Sequence, residues 1–155
     1  MSTFITIIAG VSVFVLGQIL LKLLIDPIHE LKRSIAEIAH TLIEHANIYA
    51  NPGTYETEKE MEISSQFRRL SSQLNAGMYL IPYYKAISRI FGLPSVENIN
   101  KASKKLIGLS NGFNDRPNRG ILNTYLAQHT RDALGIFVPE GERLDPEHER
   151  EFLNG

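Results

Sequence analysis

The chain opens on residues that are apolar almost without a break. In Phe4–Ile25, FITIIAGVSVFVLGQILLKLLI, the first charge is Lys22, which leaves 18 uncharged residues in a row. As a helix this 22-residue stretch reaches roughly 33 Å at about 1.5 Å per residue, against a hydrocarbon core of about 30 Å. Inside lipid every backbone polar group must be bonded within the segment, which a helix achieves. The pattern predicts a transmembrane anchor over residues 1–25. A cleaved secretory signal would want a basic start, a shorter apolar run and small residues at the cleavage point. Here Met1-Ser2-Thr3 has no charged side chain, and Leu-Leu-Ile-Asp-Pro stands where the small residues should be. The other alternative is a buried core helix, because Thr6, Ser12 and Gln18 dilute the apolarity.

After Asp26-Pro27 the pattern changes to helical amphipathicity. Asp is a good N-cap and Pro is tolerated in a first turn, so the span is expected to kink into the next helix. Apolar residues fall at 28, 31, 35, 38, 39, 42, 43, 46, 49 and 50, an arc of roughly 140° at about 100° per residue. Asn51-Pro52-Gly53 ends that helix in a turn. A second helix is predicted over 56–80, with Ile63, Phe67, Leu70, Leu74 and Met78 on one face and glutamates in its first turns. Two such helices joined by a short turn pack as an antiparallel hairpin. Tyr83–Phe91 reads as a short helix closed by Gly92, and Ser95 caps another over Val96–Ser110 with Ile99, Ala102, Leu106 and Leu109 inward. Asn111–Gly120 is turn-rich and reads as a loop. Helical spacing resumes over Ile121–Leu134, at Ile121, Leu122, Tyr125, Leu126 and Leu134. No alternating strand pattern appears. The fold class is all-α: an anchor over 1–25, a helical domain over 26–137, and a Pro/Gly-punctuated acidic tail over 138–155, expected to be largely unordered past Pro139.

Charge changes this picture in two ways. Basic residues follow the span (Lys22, Lys32, Arg33) and none precede it. The positive-inside bias then puts the N-terminus outside and the helical domain in the cytoplasm. The net charge of −1 also hides a segregation, +6 over residues 81–131 and −5 over 132–155. Lys85, Arg89, Lys101, Lys104, Lys105, Arg116, Arg119 and Arg131 make up the basic region. Lys101, Lys104 and Lys105 share a helix face and, with Arg116 and Arg119, are the candidate contacts to an anionic lipid surface or ligand. The acidic tail offers a second destination for that charge, and a plain solvated surface a third. A nucleotide or nucleic acid is a further candidate partner, stacked on Tyr79, Tyr83, Tyr84 or Phe91, although these aromatics read first as core; a nucleotide there would make the protein an oligomeric sensor-effector that perturbs the membrane.

Candidate chemistry adds little. The absence of cysteine removes disulfides, thiolate metal sites and a cysteine nucleophile. Glu37, His40 and Glu44 recur at metal-site spacing, but they point away from the apolar stripe. They are expected to form solvent-facing pairs, Arg33 with Glu37 and His40 with Glu44. His29 and His45 fall on the same polar face. No nucleophile elbow or phosphate-binding loop is present, so neither a catalytic residue, a metal nor a cofactor is assigned, and a non-enzymatic role is expected. Within the span, Gly10 and Gly17 lie near one face with Gln18 beside them. Small residues and an amide suit contact between spans, and thus a homo-oligomer, although glycine is common in such helices anyway.

The stretches DPIHELKRSIAEIAHTLIEHANIYANPG, RRLSSQLNAGMYLIPYY and FGLPSVENINKASKKLIGLSNG resemble a group of small bacterial proteins with one N-terminal span and a helical cytoplasmic part. The resemblance covers most of residues 10–112. It implies this architecture and the bacterial inner membrane, and it carries over no activity and no site residue.

Overall fold

The computed structural model describes residues 2–113, 118–145 and 147–150. Among them there are seven α-helices and no strand. The first, α1 (Ser2–Leu20), continues through a π-helical turn, Leu21–Ile25, into α2 (Asp26–Glu44). Proline explains the wide turn. Pro27 has no N–H to give to the carbonyl four residues back, and its ring crowds that carbonyl. The backbone answers by opening one turn: the Asp26 N–H donates to the Leu21 carbonyl, five residues earlier. The expected kink is thus absorbed as a π turn, and Lys22 Nζ closes it with an ion pair to Asp26 Oδ2 at 3.0 Å.

The helix predicted to run to Ala50 breaks at His45, which separates α2 from α3 (Ala46–Ala50). The break turns Ile48 and Tyr49 into the core, where the Tyr49 ring meets Phe67 edge-on at 6.2 Å. Then follow α4 (Thr57–Tyr79), α5 (Tyr84–Phe91), α6 (Val96–Ser110) and α7 (Arg119–Leu134). Ser95 caps α6 as expected, its hydroxyl accepting from the Asn98 N–H at 3.1 Å. Gly92 closes α5 at φ +63°, a left-handed conformation that glycine reaches without a Cβ penalty.

Pairings fix the topology. Leu31 lies against Gly77, Glu37 reaches Arg69, and Thr41 meets Gln66, so α2 and α4 run antiparallel. Ser71 bonds Ser103, and Ser64 Oγ donates to the Ser110 carbonyl at 2.6 Å, which makes α4 and α6 antiparallel. Gly108 faces Leu126, and Gly112 is bonded by Asn123, so α7 returns antiparallel to α6. The result is an up-down-up-down bundle of α2, α4, α6 and α7. Its core is Ile38 and Leu42 of α2, Phe67, Leu70 and Leu74 of α4, and Ile99, Leu106 and Leu109 of α6. Between α4 and α6 a small polar layer replaces bulk. The hydroxyls of Ser71 and Ser103 are buried 2.6 Å apart, and Asn75 also donates to Ser103.

The inward face of α7 differs from expectation. Tyr125 and Leu134 are buried as expected, but Ile121 is exposed, and Asn123, Ala127, Thr130 and Ala133 are buried as well. Asn123 is fully buried and donates to the carbonyls of both Tyr49 and Gly112 at 2.9 Å, tying α3 to the end of α6. The tail, expected to be unordered past Pro139, is instead held on α7 through its described residues. Tyr125 donates to the Asp145 carbonyl at 2.8 Å, and the Leu144 N–H donates to Gln128 Oε1 at 2.7 Å. His129 Nε2 lies 2.8 Å from both carboxylate oxygens of Glu149.

Candidate functional site

The bundle has two ends, and the one where α1 enters carries the unusual surface. Antiparallel pairing of α2 with α4 puts Leu80 level with Ile28, and one shallow cleft is lined by Glu30, Gly77 and Leu80 together. The chain then turns through Ile81 and Tyr83 into α5. Tyr83 has φ +50°, which is uncommon for a bulky residue and holds its side chain outward at the corner. Tyr84 points the other way: it is buried and donates to the Pro94 carbonyl at 2.7 Å. Burial pushes its hydroxyl up to about 12. The antiparallel return of α7 brings its end, Gly135 and Phe137, beside the first turns of α6.

Exposed apolar side chains occur at both ends, Ile43 (69%) and Met61 (67%) at the far one, but the highest values fall at the α1 end. Outside α1, the four most exposed large apolar side chains among the described residues are Tyr83 (89%), Phe137 (86%), Tyr79 (81%) and Ile90 (74%). All four belong to this end. Tyr79 and Tyr83, read from sequence as core, are therefore surface residues, while Tyr84 is core and Phe91 half-buried. Between α5 and the first turn of α6 is a cleft of about 490 Å³ lined by Lys85, Ser88, Arg89, Leu93, Ser95 and the adjoining Val96 and Glu97. Lys85 and Arg89 are both exposed on its α5 wall.

The other expected contacts are scattered. Lys101 and Lys104 are exposed on the outer face of α6 and Lys105 is half-buried there. Lys104 lies nine residues beyond Ser95, roughly 14 Å up the helix at about 1.5 Å per residue, so these lysines and the Tyr83 corner do not form one pocket. Arg119 is not a free surface cation. It is half-buried, its Nη2 donates to the Asn111 carbonyl at 3.0 Å, and its Nε is buried without a partner among the described residues. Arg116 lies outside the described residues. The described residues of the tail pair with α7 instead: Arg143 with Asp132 at 3.6 Å and Glu149 with His129 at 2.8 Å.

On α2, Glu37 pairs with Arg69 of α4 at 3.3 Å rather than with Arg33. His40 does pair with Glu44, at 3.4 Å. His45, placed by periodicity on the polar face, is half-buried and contacts Gln66 Oε1 at 3.1 Å, because the break after Glu44 rotates it toward α4. Among the described residues no three His, Asp or Glu side chains converge as metal ligands. In α1, a Cβ added at Gly10 or Gly17 would meet nothing within 4 Å, and Gln18 is exposed. No protein-family model matches the chain, and neither the curated proteins nor the solved structures include a match to it.

Proposed function

We propose that this protein is a single-span protein of the bacterial inner membrane, N-terminus outside, whose cytoplasmic bundle serves as a non-enzymatic interaction or regulatory module. In this reading it self-associates and meets anionic lipid. One observation carries the proposal: the most apolar window of the long N-terminal helix has none of its residues buried against the rest of the protein. A soluble protein would bury such a surface, because leaving it in water forfeits about 25 cal/mol for each Å². A bilayer covers it without help from the bundle. Gly10, Gly17 and Gln18 lie open on this helix and suit close approach of a second span.

Two measurements on the full chain test the reading. Partition between detergent-rich and aqueous phases is expected to send the protein to the detergent, and recovery in water would overturn the anchor. Light scattering in detergent, on the full chain and on residues 26–155, then reads self-association. A defined oligomer lost with the span assigns assembly to α1, one retained assigns it to the bundle, and a monomer in both forms removes self-association.

A further inference from the structure

The apolar side chains at the α1 end are largely exposed among the described residues, and their position names the surface that covers them. With α1 read as the span, as proposed above, Ile25 ends the hydrocarbon segment and the polar headgroup layer extends roughly 6 Å further. Leu80, level with Ile28, lies inside that layer, because three residues of helix advance only about 4.5 Å. Tyr79, Tyr83, Ile90 and Phe137 stand at the same end of the bundle. Tyrosine suits this depth, with its ring in the apolar boundary and its hydroxyl among headgroups. The left-handed Tyr83 supports the same conclusion: the backbone accepts an uncommon conformation, and the residue is 89% exposed.

Charge complements the apolar edge. Lys85 and Arg89 flank the cleft of about 490 Å³, with Leu93 and Val96 as its apolar lining. The acids nearby include Glu97 on the cleft wall, Glu30 on α2, Asp26, already paired with Lys22, Asp132 in the last turn of α7, paired with Arg143, and exposed Glu140, three residues beyond Phe137. The α6 lysines are placed less well. Lys104 is roughly 14 Å up α6 from Ser95, beyond a Debye length of about 8 Å at physiological ionic strength.

We propose that the α4–α5 corner and Phe137 form a second, peripheral contact with the bilayer that α1 crosses, in which Tyr79, Leu80, Tyr83, Ile90 and Phe137 enter the interfacial layer while Lys85 and Arg89 meet anionic lipid headgroups. Lipid contact thus moves from the α6 lysines to α5, and the bundle is seated on the membrane instead of hanging from its span.

The chain has no native cysteine, so single probe sites can be introduced cleanly. In the full chain in nanodiscs containing anionic phosphatidylglycerol, an environment-sensitive fluorophore is attached at Ser12→Cys in α1, Ala86→Cys on α5 or Met61→Cys. Met61 is an exposed apolar residue toward the far end of α4. Quenching by brominated lipid and by aqueous iodide then reads depth. The Ser12 probe is expected to be quenched by lipid deep in the core, the Ala86 probe by lipid at shallow depth, and the Met61 probe by iodide alone. Tyr83→Asp with Ile90→Asp is expected to return the Ala86 probe to iodide. Lys85→Glu with Arg89→Glu is expected at least to halve its lipid quenching in anionic discs and leave it unchanged in phosphatidylcholine discs. If the Ser12 probe is lipid-quenched while Ala86 behaves like Met61, the span stands and the second contact is overturned. If the Ser12 probe is itself reached by iodide, the span reading falls and takes this inference with it. An equal loss in both kinds of disc would remove the role of Lys85 and Arg89 in meeting negatively charged headgroups.

Discussion

Tyr84 and Tyr83, adjacent in sequence, have opposite fates, and that divides the corner between fold and surface. The Tyr84 hydroxyl is buried, bonded to Pro94, and titrates near pH 12 in the folded protein against the ordinary 10.0. Between those values the unfolded chain releases the proton while the folded chain still holds it. Stability is therefore fully present below about pH 10 and is lost as pH rises toward 12. Urea midpoints measured from pH 8 to 12 are expected to fall over that upper interval. Tyr84→Phe, lacking the ionisable group, should flatten its share of the fall and lower the neutral-pH unfolding free energy by the roughly 1 kcal/mol of one hydrogen bond. Tyr49 adds to the same alkaline slope, because burial raises its hydroxyl and the Arg131 guanidinium only partly offsets this. At neutral pH the corner is held by a hydroxyl that stays neutral.

At the level of elements, much of the bundle can be read from spacing alone. Ile63, Phe67, Leu70, Leu74 and Met78 are all buried, as are Ile99, Ala102, Leu106 and Leu109, because in both helices a single apolar stripe faces the core. Spacing failed where burial is not apolar. The inward face of α7 includes Asn123, Ala127 and Thr130: Ala127 is small, Thr130 bonds back to Leu126 of its own helix, and Asn123 depends on acceptors supplied by Tyr49 and Gly112. It failed again at the α1 end, where an aromatic in sequence gives no sign of which way it will point. Tyr83 is set outward by a positive φ, and Phe137 stands beyond the Gly135 cap of α7. The tail composition, acidic and broken by Pro and Gly, likewise says nothing of Gln128, Tyr125 and His129 waiting on α7. These contacts can be released. Gln128→Ala with Tyr125→Phe removes two hydrogen bonds of about 1 kcal/mol each. Tryptic cleavage at Arg143 is expected to accelerate roughly thirty-fold, with the bundle intact by circular dichroism. An unchanged rate would mean that the tail is held elsewhere.

At the scale of the whole molecule, α1 and the bundle share one helix and almost no packing. The first buried residue is Ile28, and among residues before it Leu24 packs against the core. A chain starting at residue 22 is therefore expected to keep the bundle's melting temperature within about 3 °C of the full chain in the same detergent, since little buried area is removed. A loss above 10 °C would show that α1 supports the fold through contacts outside a single copy. The passage from α1 through the π turn into α2 has a mechanical consequence as well. There is no flexible linker at this joint: the 19 residues of α2 extend the same shaft for roughly 28 Å. With α1 in a bilayer, a thinning that tilts the shaft by about 10° swings its far end sideways by about 5 Å. Glu44, where the shaft ends, then marks the deflection, and the bundle packed along α2 leans with it as the membrane thins.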